Sequence, residues 1–419
     1  MGSKDFEITR LIGNGCYSTI YDAVSTREID RGTKYALKRI FILNASALIC
    51  AIREHRTLLH LAMESDRSPF VITLFYSFRV HRSPVLVMTR GSGIDLSDLL
   101  CEVGNLNEDY ARFYICEVIC GLEFLHAKGI IHLDIKPENM LISDSGHILI
   151  TDFSHAYDRC RRLNIPLFKG SLGTPHFMAP EVAKKVALTT KADVWSLAIL
   201  MAVMIAGPVR KLPISWNEDC ELAKKGLWSI SNLDRLTPPL KYFFKCCLRF
   251  DHETRPSIDE VKDLSFFSDI KWNDVVACKT QPPYIPSDLQ LFNDRVKFGF
   301  NPRDPLILQS AYGVGMPVIW RIPQFVIGDD KTLHLVTLFS NYEKLIDTGL
   351  PLRKIEKYFT SYNFTHPLLQ DSEPSILPST STSVSETGET TKKCKRRSEG
   401  SEFSAEWNSK RLRTSTNLD

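Results

Sequence analysis

The sequence predicts an α+β protein with a small strand-rich lobe, a larger helical lobe and a cleft between them. Over about the first 90 residues, short apolar segments separated by Gly, Asn and Asp turns indicate strands with one helix among them. From Asp95 onward, longer segments with apolar residues at helical spacing dominate. The chain has 419 residues, of which 43% are apolar, so it is long enough to bury a full core.

The individual elements follow from the same patterns, taken in chain order. Strands are predicted over 6–12, 17–24, 35–40, 74–78 and 85–88. Helices are predicted over 45–61, 96–102, 108–128, 194–206 and 236–250. The longest uncharged run, 194–209, is shorter than the roughly 20 residues needed to cross a bilayer, so we expect a buried helix and a soluble protein without a membrane partner.

Composition divides the chain into three parts, which set the predicted domains. Residues 1–270 are dense in apolar residues and form the two lobes, with the small lobe over about 1–88, a connecting hinge at 89–93 and the large lobe at 94–270. Residues 271–370 keep aromatic residues but gain prolines, and we expect an extension there. Residues 371–419 are rich in Ser and Thr and poor in aliphatic residues, which predicts a disordered basic tail.

Charge and cysteine usage exclude several classes of protein. The chain has 52 basic and 49 acidic residues, a net charge of +3, so it is not a strongly basic nucleic-acid coat. The 11 cysteines are scattered without a CxxC pair, which favours buried thiols in a reducing compartment over a zinc site or disulfides. The polar N-terminal segment lacks the apolar core of a signal peptide.

Three separate features of the small lobe suggest a phosphate site, although each has an ordinary alternative. The turn Gly13-Asn14-Gly15 between two predicted strands could close backbone N–H groups over phosphate oxygens, but such turns also join simple hairpins. Lys38 ends a predicted strand, and Glu54 in the predicted helix could be its ionic partner. Alone, either residue also fits a solvated surface charge.

The most specific pattern is a set of short motifs in a fixed order. It runs from Lys38 and Glu54 through His132-Leu133-Asp134-Ile135-Lys136-Pro137-Glu138-Asn139, Asp152-Phe153, Gly173-Thr174-Pro175, Ala179-Pro180-Glu181 and Asp193-Val194-Trp195-Ser196 to Arg255. In this order the sequence resembles the eukaryotic protein kinase family over about residues 6–267. The lysine in the loop, Lys136, resembles the serine/threonine subtype. The resemblance implies a bilobal fold and transfer of phosphate from ATP with Mg²⁺.

The resemblance also implies a role for each matched residue. Asp134 would accept the proton of the substrate hydroxyl, and Lys136 would steady the transferring phosphate. Asn139 and Asp152 would bind Mg²⁺. The implied ATP contacts are Gly13, Asn14, Gly15, Ile20, Ala36, Lys38 with its partner Glu54, the gatekeeper Met88, the hinge residues Thr89 and Gly91, and Asp95 at the ribose.

Other matched residues would support the site or read the substrate. His132, Phe153 and Leu58 would stack as an inner spine, Asp193 would anchor the catalytic loop, and Glu181 would pair with Arg255. Glu138 and Asp95 match acidic positions that face a basic residue three places before the phosphorylated one. The acidic position that would face the residue two places before it is Val203. We therefore expect protein substrates with Arg at the minus-three position.

Residues after the core resemble the AGC kinases, the relatives of protein kinases A and C and the ribosomal-protein kinases. The segments 266–272 and 282–286 look like the AGC tail that wraps back over the small lobe. The segment 358–362 faintly echoes their terminal aromatic motif, although an ordinary buried aromatic cluster is the alternative. Ser18, Ser154 and Leu133 depart from the usual kinase residues, so a pseudokinase scaffold stays open as a second function.

The activation segment departs from the AGC pattern in a coordinated way. The usual phosphothreonine position is Gly170, and its usual basic ligands fall at Leu133, Cys50 and Tyr157. Because the phosphate and its partners are missing together, we expect no control by the usual phosphorylation. Ser171 is the displaced candidate for modification.

The tail carries two compact basic runs, 392–397 and 410–413. The run from Lys392 to Arg397 predicts binding to nuclear import receptors and a location in nucleus and cytoplasm. A solvated tail, or contact with nucleic acid or a membrane surface, is the alternative. A chromatin- or RNA-associated protein that works through this tail is the third class of function.

Overall fold

The computed structural model describes residues 2–15, 17–42, 44–80, 83–160, 172–206, 216–226, 235–289, 324–327, 333–336, 359 and 362–370. A lobe of antiparallel strands with one long helix precedes a larger helical lobe. The predicted α+β, bilobal class is therefore confirmed.

The small lobe is built on one antiparallel sheet. Its strands are β1 (Phe6–Gly15), β2 (Ser18–Ser25), β3 (Lys34–Ile40), β4 (Leu74–Val80) and β5 (Ser83–Met88), in the spatial order β1-β2-β3-β5-β4. All five predicted strands are present, within a few residues of the predicted bounds. On one face of the sheet an apolar cluster includes the rings of Phe6 and Phe78, which stack with their centroids 5.8 Å apart.

Helix α1 (Ala45–Ala62) crosses this sheet and carries one of the site residues. It begins at Asn44, whose side chain accepts a hydrogen bond from the Ala47 N–H at 2.9 Å, as an N-cap residue should. Leu48, Ile52 and Leu58 follow the helical spacing and are buried in the main core. Glu54 of the same helix contacts Lys38 of β3.

The large lobe contains the remaining helices and several short strands of the described chain. The helices are α2 (Leu96–Val103), α3 (Glu108–Ala127), α4 (Pro180–Ala183), α5 (Lys191–Ala206), α6 (Trp216–Lys225), α7 (Pro238–Cys247), α8 (Ile258–Lys262) and α9 (Trp272–Val276). Its strands are β6 (Ile94–Asp95), β7 (Ile130–Ile131), β8 (Met140–Ile142), β9 (Ile148–Ile150) and β10 (Tyr157–Asp158). Later in the chain, β11 (Gln324–Ile327) and β12 (Leu333–Val336) form a separate antiparallel pair.

The uncharged run is confirmed as a buried helix. Nearly every residue of α5 is buried, and the helix starts at Lys191 rather than at the predicted 194. The helix predicted over 236–250 is shorter, Pro238–Cys247, because its two prolines fit only the first turn of a helix. In the part of the chain that the structure describes, no helix combines the length and apolar character needed to cross a membrane.

The chain returns to the small lobe after its long extension. Strand β13 (Phe364–Thr365) pairs antiparallel with β4 and becomes the outermost strand of the sheet. Just before it, Phe359 and Tyr362 are buried, and the Tyr362 ring stacks on His55 of α1 with centroids 4.0 Å apart. Of the segment 358–362, the described residues Phe359 and Tyr362 thus form a buried aromatic pair, with Tyr362 beside α1.

Candidate active site

Lys38 lies at the centre of a group of charges between the two lobes. It stands on β3, and its Nζ is 2.7 Å from Glu54 Oε1 and 3.7 Å from Asp152 Oδ1. Burial alone would lower the pKa of Lys38, but the two carboxylates outweigh it and hold the pKa above its usual value. A positive charge is therefore fixed between Glu54 of α1 and Asp152, the second residue after β9.

Asp152 adopts a backbone conformation that few non-glycine residues take. Its φ is +63°, and its Oδ1 accepts a hydrogen bond from the Ser154 N–H at 3.3 Å. Burial would raise the pKa of Asp152, yet Lys38 and the Ser154 hydrogen bond keep it well below its usual range. Ser154, in the usual glycine position, thus still supports an ionised carboxylate.

Asp134 is a buried carboxylate that is both hydrogen-bonded and ion-paired to neighbouring side chains. Asn139 Nδ2 donates to Asp134 Oδ2 at 2.9 Å, and Lys136 Nζ lies 2.9 Å from the same oxygen. Burial would raise the pKa of Asp134, but Lys136 and then His155 bring it below its usual value. The Asn139 side chain donates to Asp134 through its nitrogen, Nδ2. The side-chain oxygen of Asn139 is therefore the atom available to bind a cation.

Thr174, which the sequence did not identify as a site residue, completes the surroundings of Asp134. Its backbone N–H and its Oγ1 both donate to Asp134 Oδ1 at 2.8 Å, and Lys136 Nζ donates to Thr174 Oγ1 at 2.8 Å. Gly173 precedes it with φ +86°, and a Cβ there would lie 2.1 Å from the Leu133 carbonyl oxygen. Only glycine allows this close approach.

Asp193 of α5 holds the catalytic loop from beneath. Its Oδ2 accepts from the His132 N–H at 2.9 Å, and its Oδ1 accepts from the Leu133 N–H at 2.8 Å. Leu133 has φ +65°, a costly conformation for a branched side chain that these bonds maintain. His126 of α3, which the sequence analysis also missed, places its Nε2 2.8 Å from Asp193 Oδ2.

Two of the three residues predicted to form the inner spine are neighbouring rings. The His132 and Phe153 rings lie 5.1 Å apart, and Leu58 of α1 is fully buried in the same core cluster. His132 Nε2 also lies 3.0 Å from the Thr151 carbonyl oxygen, just before Asp152. The catalytic loop, the metal-site carboxylate and α1 thus share one core.

Several other predicted ATP contacts stand on strands of the small lobe. Gly13 pairs with Ile20 and Gly15 with Ser18 across the β1–β2 hairpin, and Asn14 lies between the glycines in β1. Ala36 pairs with Met88 in the neighbouring strands β3 and β5, and both are buried. Since Ile20 of β2 pairs with Lys38 of β3, these positions lie on the strands around Lys38.

Backbone and side-chain hydrogen bonds hold the hinge at Thr89, and close packing holds it at Gly91. The Thr89 N–H donates to the Thr73 carbonyl oxygen at 3.0 Å, and Thr89 Oγ1 accepts from the Thr73 N–H at 2.9 Å. Gly91 lies against Leu141 and Ile142, where an added Cβ would come within 3.4 Å. Asp95 N-caps α2, because its Oδ1 accepts from the Asp98 N–H at 2.8 Å.

The predicted Glu181–Arg255 pair is formed and buried. Arg255 Nη1 lies 2.6 Å from Glu181 Oε1 and Nη2 lies 3.0 Å from Oε2, a bidentate contact. The Arg255 side chain is fully buried and also donates to the carbonyl oxygens of Lys191 and Arg249. This pair ties α4, at the end of the activation segment, to the body of the large lobe.

Two predicted regulatory sites lie outside the described residues, namely Ser171 and the run Lys392 to Arg397. Glu138 is exposed beside the catalytic loop, as a substrate contact requires. Among the residues that the sequence analysis missed, Thr174 lies inside a quoted motif and could have been found from it. His155 and His126 fall outside the motifs as quoted, so nothing in the sequence pattern marked them.

The donor set suits a hard divalent cation and a triphosphate. Asp152 supplies an ionised carboxylate, Asn139 supplies an amide oxygen, and Lys38 supplies a fixed positive charge nearby. Mg²⁺ prefers oxygen ligands and is usually held by one or two protein groups together with substrate phosphates. The residues present therefore fit Mg²⁺ and ATP.

In this fold, charged side chains from both lobes meet at one cleft. The protein kinase domain family matches residues 6–267, and the chain belongs to the protein kinase family. The RAC-beta serine/threonine-protein kinase of Rattus norvegicus is 32% identical over 306 residues, which cover 70% of this chain and 61% of that protein.

Two further relatives support the same grouping. The RAC family serine/threonine-protein kinase homolog of Dictyostelium discoideum is 30% identical over 300 residues, covering 68% of this chain and 63% of that protein. The ribosomal protein S6 kinase beta of Caenorhabditis elegans is 27% identical over 307 residues, covering 70% and 54%. The chain thus matches less than two thirds of the length of each relative. The predicted membership of the AGC group, as a divergent member, is confirmed.

Proposed function

We propose that this protein is a serine/threonine kinase that transfers the γ-phosphate of ATP to protein substrates. The observation that carries the proposal is the convergence of Lys38, Asp134 and Asp152, distant in sequence, on one cleft. Lys38 is already paired with Glu54, and Asp134 is already surrounded by Lys136 and Asn139. Every charged group that phosphoryl transfer requires is thereby positioned.

Each residue contributes a definite physical step. When bound, Mg-ATP supplies the transferable phosphoryl group and the metal charge that offsets its negative oxygens. Lys38, held by Glu54, attracts the phosphate oxygens. Asp134, ionised and fixed by its hydrogen bonds, orients the substrate hydroxyl and accepts its proton. Lys136, which contacts Asp134, offsets the charge that develops on the transferring group.

Radiolabelled phosphate transfer to a basic peptide tests the proposal. We expect transfer by the wild type and a loss of about 10²- to 10⁴-fold in Asp134→Asn, since a positioned base is removed. Asp109→Asn is the matched control, because it makes the same change at a side chain that is 82% exposed. If the wild type transferred no more phosphate than Asp134→Asn, and neither exceeded the background while both bound ATP, the pseudokinase scaffold would be the better description.

The substrate preference follows from two acidic side chains. Glu138 is exposed, and Asp95 is partly exposed at the start of α2. The proposed substrates carry Arg at the minus-three position and need no basic residue at minus two, where Val203 stands. In a peptide-library screen we expect selection of Arg at minus three that weakens in Glu138→Gln but not in the exposed control Glu7→Gln. A flat profile at minus three would contradict the preference.

The kinase is further proposed to work without the usual activation-segment phosphate. Two observations support this: Glu54 already contacts Lys38, and Leu133, in the usual arginine position, is buried in the core. We expect comparable activity before and after phosphatase treatment. Loss of activity together with loss of a phosphate mapped to Ser171 would overturn the idea.

The basic run from Lys392 to Arg397 is proposed to bind import receptors, which would distribute the protein between nucleus and cytoplasm. A fluorescent fusion should leave the nucleus when residues 371–419 are deleted and should keep its kinase activity. Unchanged nuclear signal after the deletion would contradict the assignment.

A further inference from the structure

His155 lies beside the catalytic group and has no part in the steps described above. It stands in the short turn Phe153–His155, directly after the metal-site carboxylate, and this turn packs against α1. Its Nδ1 accepts a hydrogen bond from the Gly173 N–H at 3.1 Å. The contact joins the start of the activation segment to its far end, 18 residues later in the chain.

The next peptide group is held by the catalytic loop itself. The Thr174 N–H donates to Asp134 Oδ1, and the Thr174 hydroxyl contacts both Asp134 and Lys136. The N–H groups of two successive residues, Gly173 and Thr174, thus donate to the side chains of His155 and Asp134, which come from different segments. Because a Cβ on Gly173 would overlap the Leu133 carbonyl oxygen, the turn packs directly against the backbone of the catalytic loop.

The ionisation of His155 suits the accepting role. An imidazole that accepts at Nδ1 must be neutral and carry its proton on Nε2. The pKa of His155 lies below its usual value, chiefly because of burial. Arg53 and Lys136 lower it further, while the carboxylates of Asp134 and Asp152 act in the opposite direction.

We infer that His155 is a positioning residue that holds the Gly173–Thr174 turn against Asp134 and so prepares the site for the protein substrate. The inference rests on the proposed kinase function and extends it to substrate binding. Without the acceptor, the turn would spend less time in the arrangement that Thr174 needs to contact Asp134 and Lys136. A smaller competent fraction raises the apparent dissociation constant of the peptide by the same factor. The hydrogen bond of His155 goes to Gly173, whereas Lys38 bonds to Glu54, so ATP binding should be spared.

Two substitutions of His155 separate the hydrogen bond from the bulk of the ring. Asn keeps an accepting oxygen near the place of Nδ1, whereas Leu fills similar space without an acceptor. The measurements are the KM of a synthetic peptide with Arg three residues before Ser, the KM of ATP, and amide hydrogen exchange at Gly173 in the full-length protein.

The expected results differ between the two variants. His155→Leu should raise the peptide KM by about five- to tenfold, the usual worth of one buried hydrogen bond, and should speed exchange of the Gly173 amide similarly. The KM of ATP should stay within about twofold, because no ATP contact changes. His155→Asn should restore both the peptide KM and the slow exchange.

Three results would overturn the inference: an unchanged peptide KM in His155→Leu, an equal loss for ATP and peptide, or no rescue by Asn. Failure of the proposed function is recognised separately. If the wild type transferred no phosphate, the Gly173 exchange rate would still report whether His155 holds the turn. Fast exchange in the wild type would then reject the positioning role as well.

Discussion

Tyr362 provides the most informative single perturbation of the small lobe, because its ring and its hydroxyl have opposite effects on stability. The ring is buried, stacks on His55 of α1 and makes an edge contact with Phe359. The hydroxyl is also buried but has no hydrogen-bond partner among the described residues. Glu54 is near enough that its charge, after burial, raises the pKa of Tyr362. The ring therefore packs beside the helix that holds Glu54 against Lys38.

The size of the effect can be worked from these contacts. Burying a tyrosine removes roughly 150 to 250 Å² from water, which is worth roughly 4 to 6 kcal/mol at about 25 cal/mol per Å². Leaving the hydroxyl unsatisfied costs about 1 to 3 kcal/mol. Tyr362→Ala should thus destabilise the docked tail by about 2 to 4 kcal/mol, whereas Tyr362→Phe should stabilise it by about 1 kcal/mol.

Thermal unfolding and peptide phosphorylation are the assays for this pair. Tyr362→Ala should lower the melting temperature and the kinase activity, because α1 loses the ring that packs on it. Tyr362→Phe should match or exceed the wild type in both. Leu368→Ala is the control, since Leu368 lies in the same tail but is 71% exposed. The reasoning fails if Ala at 362 behaves like the Leu368 control, or if Phe at 362 is clearly less stable than Tyr.

Two further perturbations test the electrostatics of the large lobe and of the tail. Arg255→Met should destabilise the protein by about 3 to 5 kcal/mol in denaturant unfolding, because Glu181 would remain buried and unpaired. Lys184→Met is the control, at an exposed side chain whose Nζ lies 4.0 Å from the centroid of the Phe250 ring, and it should lower the free energy of unfolding by less than about 1 kcal/mol. Equal losses of stability in the two variants would contradict the role of the buried pair. His366 is buried with its Nε2 2.8 Å from Arg67 Nη2, and burial followed by Arg67 lowers its pKa. The folded pKa lies below that of a free histidine, so the stability of the docked tail is complete above about pH 6.5 and declines as the pH falls toward the folded value. Melting temperatures measured across that range should fall less steeply in His366→Gln than in the wild type, and identical slopes would reject the account.

The sequence predicts most of the secondary structure and most of the site residues that lie within short motifs. Helix α1 and the strands that flank it are evident from apolar spacing, and the order of motifs is enough to bring Lys38, Asp134 and Asp152 together. The buried run that became α5 could be distinguished from a membrane span by its length alone. These features depend on residue type and spacing, which a single sequence contains.

The contacts that the sequence could not supply depend on backbone geometry and on long-range packing. Leu133 and Asp152 adopt positive φ values that residue type and spacing do not predict, and Leu133 is held by a hydrogen bond to the distant Asp193. The bond from Gly173 to His155 requires the activation segment to fold back, and no spacing rule specifies that. The pairing of β13 with β4 brings together segments separated by almost 300 residues, beyond the reach of any local pattern.

Calorimetric titration of the full-length protein with ATP, with and without Mg²⁺, tests the central claim most directly. The claim is that Lys38, Asn139 and Asp152 form one nucleotide–metal site. We expect the wild type and Asp109→Asn to bind ATP more tightly with Mg²⁺ present. Asp152→Asn should lose this Mg²⁺-dependent gain. No ATP binding by the wild type, or an undiminished Mg²⁺ effect in Asp152→Asn, would contradict the account.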